Sequence, residues 1–167
     1  MRKNTALFGF TLIELVVSIG ILAIFSTFLV AVLNPFEQFK KAADTQRKSD
    51  LAQIQRGLEA YYQDFGKYPD ASSNKIVYNS SALNWGSSWA PYMDVLPKDD
   101  ASGKNYAYAV SGDKQSYWLY ASLDRGTHDP QACNNGAACT SLSLNGMSGT
   151  ACGGTCNYGV SSPNVSP

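Results

Sequence analysis

The sequence predicts an α+β fold: a long N-terminal α-helix packed on a small antiparallel β-sheet head, with a disulfide-tied C-terminal loop region. Three observations lead to this prediction. An apolar run occupies residues 10–33, and an amphipathic pattern follows it. Two aromatic-rich alternating segments lie at residues 105–110 and 116–123, and all four cysteines lie in the last 35 residues. A helix layered on a sheet is the arrangement that a small α+β domain needs to bury its apolar faces.

The apolar run of residues 10–33 is long enough to cross a membrane. It contains 24 residues, and Glu14 is its one ionisable group. A helix of this length extends about 36 Å, and a hydrocarbon core is about 30 Å thick. A cleaved secretory signal has a shorter apolar region with small residues at its exit. This run instead ends at Asn34 and Pro35, so we expect a retained membrane span.

The flanking charges and the cysteines predict the orientation of this span. Arg2 and Lys3 precede it, whereas Lys40 and Lys41 are balanced by nearby acidic residues. The positive-inside rule therefore favours a cytoplasmic N-terminus. Cysteines confined to the C-terminal part agree with a head in an oxidising compartment. We expect a single-pass protein of the cytoplasmic membrane with its head outside.

Glu14 requires a physical reason, because placing a carboxylate in an apolar span costs free energy. In one interpretation it reaches the headgroups and does nothing more. In the other it pairs with a cation that the mature protein supplies. Cleavage after Gly9 would create an α-ammonium on Phe10, about one helical turn from Glu14. Such a pair, within one chain or between neighbours, would hold packed helices in register.

The start of the chain resembles the class III signal of type IV pilins and type II secretion pseudopilins. The resemblance rests on residues 3–9 and on the F-T-L-I-E-L sequence of residues 10–15. It implies that residues 1–9 are a leader, that a prepilin peptidase cuts after Gly9 and methylates Phe10, and that Glu14 serves assembly. The implied partners are this peptidase/methyltransferase, membrane lipid, an inner-membrane assembly platform and other pilin subunits in a filament.

An amphipathic helix is expected over residues 34–65, after an interruption at Asn34 and Pro35, because proline removes a backbone donor and crowds the preceding turn. Five acidic and five basic residues of residues 36–65 have the character of a solvated face. An apolar stripe at spacings of three and four runs through them: Leu51, Ile54, Leu58, Tyr61 and Phe65. Five positions are too few to indicate a coiled coil. We expect the stripe to pack against a head formed by residues 66–167.

The head is predicted to contain an antiparallel hairpin. Its strands are residues 105–110 and 116–123, and residue types at 111–114 are typical of a turn. A short strand is expected at residues 76–78. The aromatic residues Trp85, Trp89 and Tyr92 favour core packing, with a sugar-binding face as the alternative. Four segments also resemble, in order, the major pseudopilins of type II secretion: residues 89–92, 96–99, 103–108 and 117–123.

The cysteine-rich segment begins at residue 133. Its four disulfide candidates are Cys133, Cys139, Cys152 and Cys156. The surrounding glycine, asparagine, serine and threonine bury little apolar surface, so the segment needs to be tied. Three pairings are open. A structural zinc site is the alternative, but the C-x5-C and C-x3-C spacings depart from the usual C-x2-C pattern.

The resemblance to the major pseudopilins implies a calcium ion in the loop after the last strand. Asp124 and Asp129 are the oxygen ligands that this chain offers there. The evenly spaced acidic loop that would make a calcium site persuasive is missing from the sequence. We therefore assign no metal ligand and no cofactor, and we leave open whether this loop binds calcium.

Composition and motifs exclude several functions. The chain carries 13 basic and 13 acidic residues, so it lacks the basic surplus of a general nucleic-acid binder. Its one histidine, His128, lies in a predicted loop, and no hydrolase, phosphate-loop or zinc-protease motif occurs, so we expect no enzyme. The predicted function is a structural subunit of a type IV pilus or a type II secretion-like pseudopilus. The alternative is a monomeric, membrane-anchored binding module whose aromatic head recognises a carbohydrate or a peptide. Roles in a pilus, in secretion and in DNA uptake are not distinguished by the sequence.

Overall fold

The computed structural model describes residues 9–167, without the side chains of residues 30–33. The predicted leader therefore lies outside the described residues, except for Gly9. The chain divides into an N-terminal unit that ends at Phe39 and a head unit of Lys40–Pro167.

The N-terminal unit contains helix α1, Leu12–Leu33. It begins two residues later than the apolar run, because Thr11 has an extended backbone and caps the helix. Its described side chains are all exposed. The segment Leu12–Leu29 is long and apolar enough to cross a membrane, judged by length and composition. Apolar side chains this exposed require cover from lipid or from another chain.

The predicted helix interruption is confirmed. Helix α1 ends at Leu33, and the left-handed backbone of its C-cap residue Asn34 (φ 40°, ψ 69°) stops the hydrogen-bond ladder. Helix α2, Pro35–Phe65, begins immediately afterwards. Proline suits this first helical position, because the N–H that it lacks would have no partner within the helix.

The apolar stripe of α2 packs into the head, as predicted. Leu51, Ile54 and Leu58 are fully buried, and Tyr61 is partly buried. Phe65 is 50% exposed, so the buried part of the stripe ends one turn before the helix does.

Two small antiparallel sheets complete the head. The first has the order β1-β2-β3, with strands Ala71–Ser72, Lys75–Tyr78 and Ser81–Ala82. The second has the order β4-β5-β6, with strands Ala107–Val110, Tyr117–Ala121 and Tyr158–Ser161. Strands β4 and β5 form the predicted hairpin, in which Tyr108 lies opposite Leu119. The expected α+β, pilin-like fold is confirmed.

The C-terminal segment contains more regular structure than the sequence predicts. Strand β6 pairs with β5, with Val160 opposite Leu119, and residues Ser141–Leu144 form a short helix, α3. The expectation of loop structure throughout the segment is therefore wrong for its end. Strand β6 has only four residues, all partly buried. An alternation of apolar and polar residues over so few positions is too short to predict a strand within a glycine- and serine-rich segment.

The tryptophan and tyrosine cluster lies in the core. Trp89 is fully buried, and its ring centroid is 6.1 Å from that of Tyr61 on α2. The rings of Trp85 and Tyr106, the residue before β4, pack edge to face with their centroids 5.7 Å apart. These contacts favour core packing and leave Trp89 unable to line a sugar-binding face.

Candidate functional site

The predicted processing site lies in an exposed segment ahead of α1. Gly9 is exposed, and the Phe10 side chain is 76% exposed. Thr11 and Glu14 form a capping box: the Glu14 N–H donates to Thr11 Oγ1 at 3.3 Å, and the Thr11 N–H donates to Glu14 Oε2 at 2.9 Å. Sequence reasoning missed the role of Thr11, although its T-x-x-E spacing is the signature of this cap.

The capping box positions the Glu14 carboxylate. The carboxylate lies at the N-terminal end of α1, where the helix dipole favours negative charge. The backbone N–H that it accepts belongs to Thr11, the residue directly after Phe10. The Glu14 side chain is therefore directed back toward the predicted cleavage site.

A second cluster of charged groups lies in the head around Arg47. The Arg47 Nη1 atom donates to Asp44 and Asp124, both at 2.8 Å. The Arg47 Nε atom donates to Asp99 Oδ2 at 2.6 Å. Burial alone would lower the pKa of the Arg47 guanidinium, but the hydrogen bonds to Asp99 and Asp124 outweigh it and raise the pKa.

The carboxylates of this cluster also bind the backbone of two loops. Asp44 accepts the N–H groups of Asp124 and Arg125 at 2.8 and 2.9 Å. Asp99 accepts the N–H of Ala101 at 2.9 Å. The cluster thus ties helix α2 to the loop before β4 and to the loop after β5.

Reading the charges of α2 as solvated is wrong for this part of the helix. Asp44, Arg47 and Asp50 are all at most 5% exposed. The Asp50 carboxylate accepts the Tyr106 hydroxyl at 2.5 Å. The sequence did contain a signal for this burial. Asp44 and Arg47 precede Leu51 at spacings of three and four residues, so they lie on the same helix face as the apolar stripe.

Lysines hold the two aspartates that follow β5. Lys104 Nζ donates to Asp124 Oδ1 at 2.5 Å and to the Ser122 carbonyl oxygen at 3.0 Å. Lys48 Nζ donates to Asp129 Oδ2 at 2.6 Å. Burial acts to raise the pKa of both carboxyl groups, but the hydrogen bonds from these cations hold each pKa below its usual value.

The four cysteines form two disulfides between sequence neighbours, Cys133–Cys139 and Cys152–Cys156. The sulfurs are therefore not available as thiolate ligands of zinc. The second disulfide loop is anchored to the start of the hairpin, since the Asn105 N–H donates to the Cys152 carbonyl oxygen at 3.0 Å.

The remaining residue considered for chemistry is His128. It is exposed, and its Nδ1 atom lies 3.0 Å from Thr127 Oγ1. Within residues 9–167, the structure places no group of three or more histidine, cysteine, aspartate or glutamate side chains so that it could hold a metal ion.

Comparison with known proteins decides the family. The family model described as "Type II secretion system (T2SS), protein G" matches residues 34–135. The chain belongs to this family. The match covers α2, both β4 and β5, and the ion cluster of the head; three of the four cysteines lie beyond it.

Two curated relatives agree with this assignment to the protein G family. The chain is 33% identical over 119 residues to "Type II secretion system core protein G" of Vibrio cholerae serotype O1, covering 68% of this chain and 76% of the relative. It is 32% identical over 120 residues to the protein of the same name from Pseudomonas aeruginosa, covering 68% and 80%. No solved structure matches the chain significantly. The resemblance to type II secretion pseudopilins is thus confirmed.

Proposed function

We propose that this chain is a structural subunit of a type II secretion pseudopilus, anchored in the membrane by α1 and assembled with other pseudopilin subunits. Membership of the protein G family carries this proposal. It favours the secretion role over the adhesive-pilus and DNA-uptake roles. The exposed apolar side chains of α1 support it, because lipid and then neighbouring helices would supply the cover that these side chains lack among the described residues.

The proposal includes processing at the start of the chain, with the leader on the cytoplasmic side and the head outside. A prepilin peptidase would cut between Gly9 and Phe10 and methylate Phe10. A protein can bind an extended peptide through the hydrogen-bonding groups of the peptide main chain. The backbone at Thr11 is extended (φ −86°, ψ 148°), and no atom of the described residues beyond its chain neighbours lies within 4 Å of the position that a Cβ of Gly9 would take, which suits such binding.

Glu14 is proposed to hold the register of the assembled helices. After cleavage, the Phe10 ammonium would lie beside the Thr11 N–H that Glu14 already accepts. The carboxylate is therefore well placed to bind an ammonium, on its own chain or on a neighbouring one. In low dielectric this charge pair resists sliding, because any shift strands an uncompensated charge.

The test compares Glu14→Gln with Thr11→Ala in cells that assemble the pseudopilus. Thr11→Ala removes the Oγ1 acceptor of the capping box and keeps the charge of Glu14, whereas Glu14→Gln removes the charge and keeps a side-chain oxygen that can accept the Thr11 N–H. Intact-mass analysis should show that both variants start at Phe10 with one added methyl group. Electron microscopy should show filaments for Thr11→Ala and few or none for Glu14→Gln.

Two outcomes would contradict the proposal. A mature chain that retains the leader in peptidase-competent cells would refute the processing step. Normal filaments from Glu14→Gln together with impaired filaments from Thr11→Ala would show that Glu14 acts through the cap and not through its charge.

A further inference from the structure

The loop after β5 is organised around the ammonium group of Lys104. This group binds the Ser122 carbonyl oxygen and one carboxylate oxygen of Asp124. The other oxygen of Asp124 accepts a hydrogen bond from Arg47. A backbone carbonyl and a carboxylate converging on one positive centre are the oxygen ligands that a calcium ion would use.

Asp129 is occupied in the same way. Its Oδ2 atom accepts Lys48, and its Oδ1 atom accepts the Gln131 N–H at 2.9 Å. All four carboxylate oxygens that the loop offers for calcium, two on Asp124 and two on Asp129, therefore already have N–H donors. A divalent cation there would have to displace two lysines and would lie close to Arg47, which repels it.

The second disulfide loop closes over this centre. Gly153 has φ +72°, and a Cβ atom at this position would overlap the Gly103 carbonyl oxygen. Gly154 approaches the Ser122 hydroxyl so closely that a Cβ atom would collide with it. The two glycines therefore let the disulfide loop pack directly against Gly103, which precedes Lys104, and against Ser122, whose carbonyl oxygen accepts from Lys104.

We propose that Lys104 and Arg47 supply the positive centre that organises the loop after β5 and that the Cys152–Cys156 loop covers it, so that the head of this chain folds without calcium. The residues present do not fit the calcium site that resemblance to the major pseudopilins implies. The calcium ligands are satisfied by cations that belong to the chain itself. This proposal concerns the folding of the head and does not depend on the role of Glu14 in assembly.

The test uses the full-length chain in detergent micelles and measures Tm by near-ultraviolet circular dichroism. Every tryptophan and tyrosine lies after residue 60, so this signal reports the head. The unsubstituted chain should have the same Tm in EDTA and in about 5 mM calcium, a concentration above the roughly 10⁻³ M range of weak extracellular sites. The Lys104→Met variant should melt several degrees lower, and Lys104→Arg should retain most of the Tm. The control is Lys67→Met, an exposed lysine after α2, which should leave the Tm unchanged.

Three results would overturn the proposal. A higher Tm of the unsubstituted chain in calcium would show that the head binds the ion. Heat of stoichiometric calcium binding in isothermal titration calorimetry would show the same without any variant. A Lys104→Met chain as stable as Lys67→Met would show that the ammonium does not hold the loop. If Lys104→Met fails to fold while Lys104→Arg folds, the proposal is supported.

Discussion

Replacing Arg47 with methionine should strongly destabilise the head, because Arg47 is the cation shared by three carboxylates. Methionine keeps much of the side-chain volume but removes the charge and the hydrogen bonds of the guanidinium. Asp44 and Asp99 would keep their backbone N–H donors and lose this cation. Their side chains are only 6% and 4% exposed, so water cannot replace it.

The expected magnitude follows from this burial. Removing one partner of a buried ion pair costs about 3 to 5 kcal/mol, because the other charge is left uncompensated. The pair with Asp124 adds little to this, since the Asp124 side chain is 33% exposed and water screens it. A domain of this size loses roughly 3 to 4 °C of Tm per kcal/mol. We therefore expect Arg47→Met to lower the Tm by about 10 to 20 °C.

The assay is thermal unfolding of the full-length chain in micelles, followed through the tyrosine and tryptophan signal of the head. Arg56→Ala is the matched control, because Arg56 is an exposed arginine on the same helix. Its unfolding free energy should change by no more than about 0.5 kcal/mol. An Arg47→Met chain that melts together with Arg56→Ala would refute the reasoning, because buried carboxylates cannot lose their cation without cost.

Two further predictions concern the loop after β5 and the tail. The pKa of Asp124 is lower in the folded chain than its ordinary value of 3.8, so its stabilising effect is complete above pH 3.8 and is lost as the pH falls through the lower folded pKa. Asp124→Asn should therefore have a lower Tm than the unsubstituted chain at pH 7, and the difference should shrink at pH values well below 3.8; a difference that persists there would contradict the assignment. Peptide mapping without reduction should recover the pairs Cys133–Cys139 and Cys152–Cys156, each worth about 2 kcal/mol by loop closure, and cross-linked pairs such as Cys133–Cys156 would show the pairing to be wrong.

The elements that the sequence predicted well are those that repeat a strong periodic signal. The stripe through Leu51, Ile54 and Leu58 has helical spacing and lies in the core. The hairpin was predicted because two aromatic-rich alternating segments are joined by a short turn. In the structure Tyr108 lies opposite Leu119 in this pair of strands. The break at Asn34 followed from the covalent chemistry of Pro35, which acts without regard to tertiary context.

The parts that the sequence did not predict depend on partners far along the chain. Arg47 lies beside Asp99 and Asp124, which are 52 and 77 residues away along the chain. No local pattern therefore predicts which carboxylates Arg47 contacts. The charges of Asp44 and Arg47 suggested that these side chains are exposed to solvent. Only their spacing relative to Leu51 indicated that they lie on the buried face of the helix. Disulfide pairing had the same difficulty, because four cysteines in a segment rich in glycine, serine and asparagine allow three pairings of equal local plausibility.

The change of chemistry along the buried face of α2 follows from what each part of the helix contacts. Residues 51–58 face the sheet and the tryptophans, which offer apolar surface, so leucine and isoleucine suffice there. Residues 44–50 face loops made largely of polar residues and glycine, which have little apolar surface to bury.

Apolar contacts have no direction and could not fix the backbone of such loops. Asp44 does so by accepting the N–H groups of two consecutive residues, Asp124 and Arg125. A buried carboxylate needs a cation, and Arg47 is that cation. An all-apolar replacement of Asp44, Arg47 and Asp99 would therefore be expected to keep much of the stability of the head while losing the defined conformation of the loop that Lys104 and the second disulfide complete.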